Sequence, residues 1–147
     1  MTSRPLNLLL ADDSQSDLLL IEMALDSTGL KYTLHTSLDG LEALQTLQDN
    51  HRQNNLPDYL LLDLNMPRSD GFDVLSNLQK NPDLAALPVI VLTTSDARRD
   101  QERARNLGAK AFVTKPLNFD DLISIFQQLH AHWQGNAELP GQWEQDT

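Results

Sequence analysis

The stretch Tyr59-Leu60-Leu61-Leu62-Asp63-Leu64-Asn65-Met66-Pro67 constrains this chain more than any other. An unbroken apolar run leads directly into an aspartate, and a proline follows soon after. Such a run fits a strand buried on both faces, as in a parallel sheet covered by helices. Pro67 has no N–H to give to a ladder, so the strand stops near Asp63. One carboxylate therefore stands at the C-terminal end of a central strand, the edge where open α/β sheets bind ligands. A charge placed there needs a partner, because an unpaired buried carboxylate is strongly unfavourable. Two distant segments can supply partners: Asp12-Asp13 and Lys115-Pro116.

The rest of the chain reads as a frame for that edge. Leu6 to Ala11 is a first buried strand running into Asp12-Asp13, and Ser14 or Ser16 can cap the helix that follows. Leu18, Ile21 and Leu25 recur at helical spacing, and Gly29 ends that helix. Tyr32 to Ser37 alternates and is rich in Thr, which suits an edge strand. Leu41, Leu44 and Leu47 mark a second helix, and residues 51–58 read as a polar loop. Phe72, Leu75 and Leu78 mark a third helix, stopped by Asn81-Pro82. Leu87 to Thr93 is another buried strand. A helix over residues 96–107 then carries Arg98, Arg99, Arg103 and Arg105 but few apolar positions, so its docked face must be thin. Lys110 to Thr114 is the last strand, and Leu122, Ile125, Phe126, Leu129 and Trp133 mark the last helix. Alternating strands and helices imply a flavodoxin-like (βα)5 doubly wound parallel sheet, strand order 2-1-3-4-5. That order brings Asp12, Asp13, Asp63, Thr93 and Lys115 to one rim.

Bulk properties narrow the function. A chain of 147 residues suits one domain, read as residues 1–133 followed by a tail over 134–147 that is too short for an output domain. The net charge of -10 argues against unaided binding to nucleic acid or anionic lipid. With no cysteine, thiol chemistry is excluded, and with no signal-peptide pattern or membrane-length apolar run the expected location is cytoplasmic.

Asp12, Asp13 and Asp63 make a hard-oxygen cluster suited to octahedral Mg²⁺, which can also bridge phosphate oxygens. Lys115 can neutralise a second side of a phosphoryl group, and the Thr93 hydroxyl can donate to a third oxygen. Asp63 is the best-placed nucleophile, giving an aspartyl phosphate by positioning and charge neutralisation. Each motif has an ordinary reading when taken alone. Asp12-Asp13 could merely open a helix, Thr93 could be a strand residue, and Phe112 could be core. Their convergence at one rim favours the chemical reading.

In Asp12-Asp13, Asp63 through Gly71, Thr93 and Lys115-Pro116, the chain resembles the receiver domain of two-component response regulators. The resemblance implies that Asp63 takes a phosphoryl group from a histidine kinase. It implies Mg²⁺ held by Asp13, Asp63 and the Asn65 carbonyl, with Asp12 acting through water. It implies a switch pair, Thr93 and Phe112, and tuning of autodephosphorylation by Asn65 and Ser95. The residue 51–58 loop, Leu92-Thr93-Thr94-Ser95, Trp133 and Leu139-Pro140 are similar to stand-alone receivers that serve phytochrome-type histidine kinases. A haloacid-dehalogenase-like phosphatase is disfavoured, since Asn65 stands where its general acid would be. A flavin carrier is disfavoured because Asp12-Asp13 would repel the cofactor phosphate. A receiver-like binding module that is never phosphorylated is the remaining alternative. The wide apolar arc of the last helix, with Phe126, Trp133 and Leu139, leads to the expectation of a homodimer.

Overall fold

The computed structural model describes residues 4–143. Strands β1 (Leu6–Ala11), β2 (Tyr32–Ser37), β3 (Tyr59–Leu62), β4 (Val89–Thr93) and β5 (Ala111–Thr114) alternate with five helices. These are α1 (Gln15–Ser27), α2 (Gly40–Arg52), α3 (Gly71–Lys80), α4 (Arg98–Asn106) and α5 (Phe119–Trp133). The sheet is parallel throughout, in the order β2-β1-β3-β4-β5. Every residue of β3 and β4 is buried, whereas in β2 only Ser37 is, which suits an edge strand.

Alternation along the strands builds two cores. Leu9, Leu60, Leu62, Val89 and Val91 face α2, α3 and α4 through Leu47, Val74, Leu75 and Ala104. Leu8, Leu10, Leu61, Ile90 and Leu92 face α1 and α5 through Ile21, Leu25, Leu122, Phe126 and Leu129. Helix starts are capped by side-chain oxygens: Ser14 for α1, Asp39 for α2, Asp70 with Asp73 in a capping box for α3, and Asn118 for α5. Helix α4 lacks such a cap on Ala97, and Ala104 is its one buried position. The thin docked face expected of the Arg-rich helix is present, but the helix is shorter than residues 96–107.

Three further expectations change. Helix α2 runs through Arg52, so the polar loop begins at Gln53 rather than at His51. Nothing breaks that last turn before Asn54, whose φ of 54° is left-handed. Leu41 is 50% exposed, because the buried stripe runs through Gly40, Ala43 and Leu47. Phe126, expected at a dimer contact, is 1% exposed and belongs to the chain's own core, as does Leu139.

Residues 134–143 do not hang free. The Gly141 carbonyl accepts from the Phe112 N–H at 3.0 Å, and Gln142 bridges to Ala111 in antiparallel sense. The Trp143 indole donates to the Ala109 carbonyl at 2.8 Å. The tail thus covers the free edge of β5, satisfying donors and acceptors that an edge strand leaves open. Gly141 has φ +71°, and a Cβ there would meet the Phe112 carbonyl oxygen at 2.4 Å, so only glycine makes this approach. Trp133 is half-buried, with the Arg4 guanidinium 4.8 Å above its ring. Among the described residues no helix is long and apolar enough to cross a membrane.

Candidate functional site

The ladders run one residue past the strands and fix the site. Asp12 donates its N–H to the Ser37 carbonyl at 3.0 Å, Asp63 to that of Ala11 at 2.9 Å, and Lys115 to that of Thr93 at 2.7 Å. Each side chain that leaves the sheet at this rim therefore starts from a backbone held on a neighbouring strand. The N-terminus of α3 closes in beside them. Gly71 donates to the Leu64 carbonyl at 3.0 Å, and a Cβ on Gly71 would lie 2.5 Å from the Asp63 carbonyl oxygen.

The side chains converge as expected. Asp12 is fully buried, Asp63 is 6% exposed, and Asp13 is open to solvent. One carboxylate oxygen from each lies within 4.8 Å of the others. Thr93, also fully buried, donates its hydroxyl to Asp63 Oδ1 at 2.8 Å, and the Asn65 N–H points to the same oxygen at 3.4 Å. The Lys115 ammonium donates to Asp12 at 2.6 Å and stands 3.5 Å from Asp63 Oδ2.

Sequence reasoning missed Asp17. It accepts a second hydrogen bond from Lys115, at 2.7 Å, from the first turn of α1. The local signal was an acid in the first turn after Asp12-Asp13, which usually serves the helix dipole alone. Also missed was the ion pair of Arg68 with Asp39 at 2.6 Å, which ties the loop after β3 to the cap of α2. Arg68 itself has a left-handed φ of 66°.

Electrostatics set what the rim lacks. Burial pushes the Asp12 carboxyl above its ordinary range, against hydrogen bonds from Lys115 and the Ser14 N–H, and the nearby Asp63 charge adds to the rise. Burial lowers the Lys115 ammonium, but hydrogen bonds to Asp12 and Asp17 and the Asp63 charge outweigh it, so the net shift is upward. Asp12, Asp17 and Asp63 face the one Lys115 ammonium, and Asp13 adds a further carboxylate to the cluster. The excess negative charge, the oxygen-only donors and the exposed Asp13 edge fit a divalent cation.

The remaining expected residues lie further out. Ser95 donates to Asp100 at 2.7 Å and accepts from the Ala97 N–H at 3.3 Å, so its hydroxyl holds the start of α4. Phe112 is 8% exposed, and its ring centre lies 6.1 Å from that of Trp143. Leu139 and Phe126 are core, and Trp133 sits at the far end of α5.

A parallel 2-1-3-4-5 sheet with an acid cluster, a threonine and a lysine on its C-terminal rim is the architecture of a signalling receiver. The chain belongs to the response regulator receiver domain family, which it matches over residues 8–127. It is similar to Response regulator Rcp1 of Synechocystis sp., with 36% identity over 138 residues, covering 92% of this chain and 94% of that protein. It is also similar to the solved structure of the phosphorylated cyanobacterial phytochrome response regulator RcpA. There the TM-score is 0.81 at 32% identity, covering 93% of this chain and 99% of that one. The Mn²⁺-bound form of Rcp1 superposes with a TM-score of 0.77 at 36% identity, covering 92% and 99%. Receiver domains are phosphoacceptors that pair with histidine kinases, and this chain is a receiver-type response regulator homologous to phytochrome response regulators.

Proposed function

We propose that Asp63 accepts a phosphoryl group from a phytochrome-type histidine kinase, with Mg²⁺ as the required cation. The observation that carries this is the surround of Asp63: a 2.8 Å bond from Thr93, Lys115 at 3.5 Å, and two further carboxylates within 4.8 Å. Asp13, Asp63 and the Asn65 backbone carbonyl would hold the metal, with Asp12 acting through water. The bound ion would offset the charge of the phosphoryl oxygens as they approach. Lys115 offsets charge on another side, and Asp63, fixed by the ladder, is already positioned as nucleophile.

Transfer gives Thr93 a new acceptor, so its hydroxyl leaves Asp63 Oδ1. The space it vacates lies beside β5, where Phe112 follows, and the pair acts as the switch. Helix α4, held by Ala104 and by Ser95 with Asp100, is the element that moves at least cost. Asn65, exposed beside Asp63, and Ser95 tune the return by autodephosphorylation.

The receiver reading covers residues 1–133. Output is by protein contact in the cytoplasm, with no direct part for nucleic acid, since the net charge is -10. Self-association as a homodimer is part of the proposal. The exposed Arg98 and Arg99 of α4 complement the exposed Asp120 and Asp121 of α5 on a second copy. A monomeric mass at tens of micromolar, with and without phosphorylation, would remove that component.

Acetyl phosphate tests the central claim. Wild type should be labelled only with Mg²⁺, and Asp63→Asn should stay unlabelled while keeping its fold. Labelling of that variant, or none of wild type, refutes the assignment.

A further inference from the structure

Among the described residues, Lys115 is the only cation placed among the site carboxylates, and it is not aimed mainly at Asp63. Its ammonium has three protons to give. One goes to Asp12 at 2.6 Å and one to Asp17 at 2.7 Å, while Asp63 Oδ2 lies 3.5 Å away, at the limit of a hydrogen bond. Asp17 reaches this position because it is anchored. Its N–H donates to the Ser14 hydroxyl at 3.2 Å in the capped first turn of α1. Its side chain is 31% exposed, whereas that of Lys115 is 12% exposed, so the pair sits at the mouth of the site with the cation on the inner side.

We propose that Asp17 is a positioning residue that draws the Lys115 ammonium away from Asp63 until a phosphoryl group arrives. The inference rests on Asp63 being the phosphoacceptor. Two consequences follow from charge and geometry. In the resting protein Asp63 Oδ2 keeps its lone pairs, because the strongest donor nearby is engaged elsewhere. On phosphorylation Lys115 shifts toward a phosphoryl oxygen at the cost of its bond to Asp17. Asp17 therefore opposes the phosphorylated state and shortens its life.

The experiment measures binding of beryllofluoride, a phosphoryl analogue, with Mg²⁺ in wild type, Asp17→Asn, Asp17→Glu, Lys115→Met and the Asp17→Asn/Lys115→Met double variant. Loss of a competing, partly exposed ion pair predicts about fivefold tighter binding for Asp17→Asn. Phosphoryl loss should slow by a similar factor, and Asp17→Glu should stay near wild type. In the Lys115→Met background the Asp17 substitution should have no further effect, since its influence runs through that ammonium. In metal-free protein the Lys115 ammonium nitrogen resonance should shift in Asp17→Asn, a readout independent of phosphoryl chemistry. Unchanged or weaker binding by Asp17→Asn overturns the proposal, as does an equal gain in the Lys115→Met background. Failure of wild type itself to bind the analogue overturns the phosphoacceptor reading, and this inference with it.

Discussion

Replacing Gly71 by alanine should disturb the fold and the site together. Gly71 is the first residue of α3 and has ordinary helical backbone, so alanine meets no conformational penalty there. The obstacle is space. Its Cβ would lie 2.5 Å from the Asp63 carbonyl oxygen and 2.7 Å from the Leu64 Cα, both backbone atoms that cannot rotate aside. Restoring ordinary contact at 3.4 Å needs an opening of about 0.9 Å between α3 and the end of β3. Such overpacking costs about 1–3 kcal/mol. The better helix propensity of alanine returns at most about 1 kcal/mol. The net expectation is a loss of about 1–2 kcal/mol, seen as a fall in Tm of about 3–6 °C. The displaced backbone belongs to Asp63, so Mg²⁺ affinity should also fall by about tenfold. Gly29→Ala is the control. Gly29 has φ +72° with nothing within 4 Å of a Cβ, so alanine there is strained without being crowded. It should cost about 1 kcal/mol and leave Mg²⁺ affinity unchanged. Urea unfolding and a metal titration on both variants decide the matter. Wild-type stability together with wild-type Mg²⁺ affinity in Gly71→Ala would refute the close-approach argument.

Three further outcomes are expected. Asp13→Ala should lose Mg²⁺ binding and acetyl phosphate labelling while leaving the metal-free protein at least as stable, because it relieves like-charge repulsion among the acids; undiminished Mg²⁺ affinity would count against the site. Burial, with smaller effects from Asp26 and Glu22 at Tyr32 and from Asp58 at Tyr59, pushes both tyrosine hydroxyls up to about 12. The unfolded chain ionises them near 10, so their contribution to stability is intact below that pH and is lost as pH rises through about 12. The native protein should thus show little tyrosinate absorbance at about pH 10.5, and full ionisation there would be the contrary result. Trp143→Ala removes the indole bond to Ala109 and the ring beside Phe112, at a cost of about 1–2 kcal/mol. It should also speed hydrogen exchange at the Phe112 amide, which the tail now protects, and unchanged protection there would show that the tail does not depend on Trp143.

The apolar run ending at Asp63 and the two runs ending at Asp12 and Thr93 were enough to determine the sheet and its chemical rim. Strands buried on both faces can be placed only at the centre, and βα alternation leaves one sensible order for them. Residues one step past those strands then have no freedom to lie elsewhere, because their N–H groups still pair with the neighbouring strand. The sequence by itself therefore determined which strand-end residues share the rim. What each side chain does after leaving the backbone was settled by tertiary structure. Lys115 lies 98 residues from Asp17, and no local pattern says that α1 will dock close enough for the two to bond. Ser95 bonds to Asp100 in the first turn of α4, a contact that no local pattern announces. The apolar residues of α5 and the tail could have met a second copy or their own sheet, since periodicity measures how much surface must be covered and not by what. The edge of β5 decided it: its unpaired N–H and C=O groups gave the tail a ladder to join, and closing that ladder placed Leu139 in the core beside Phe126.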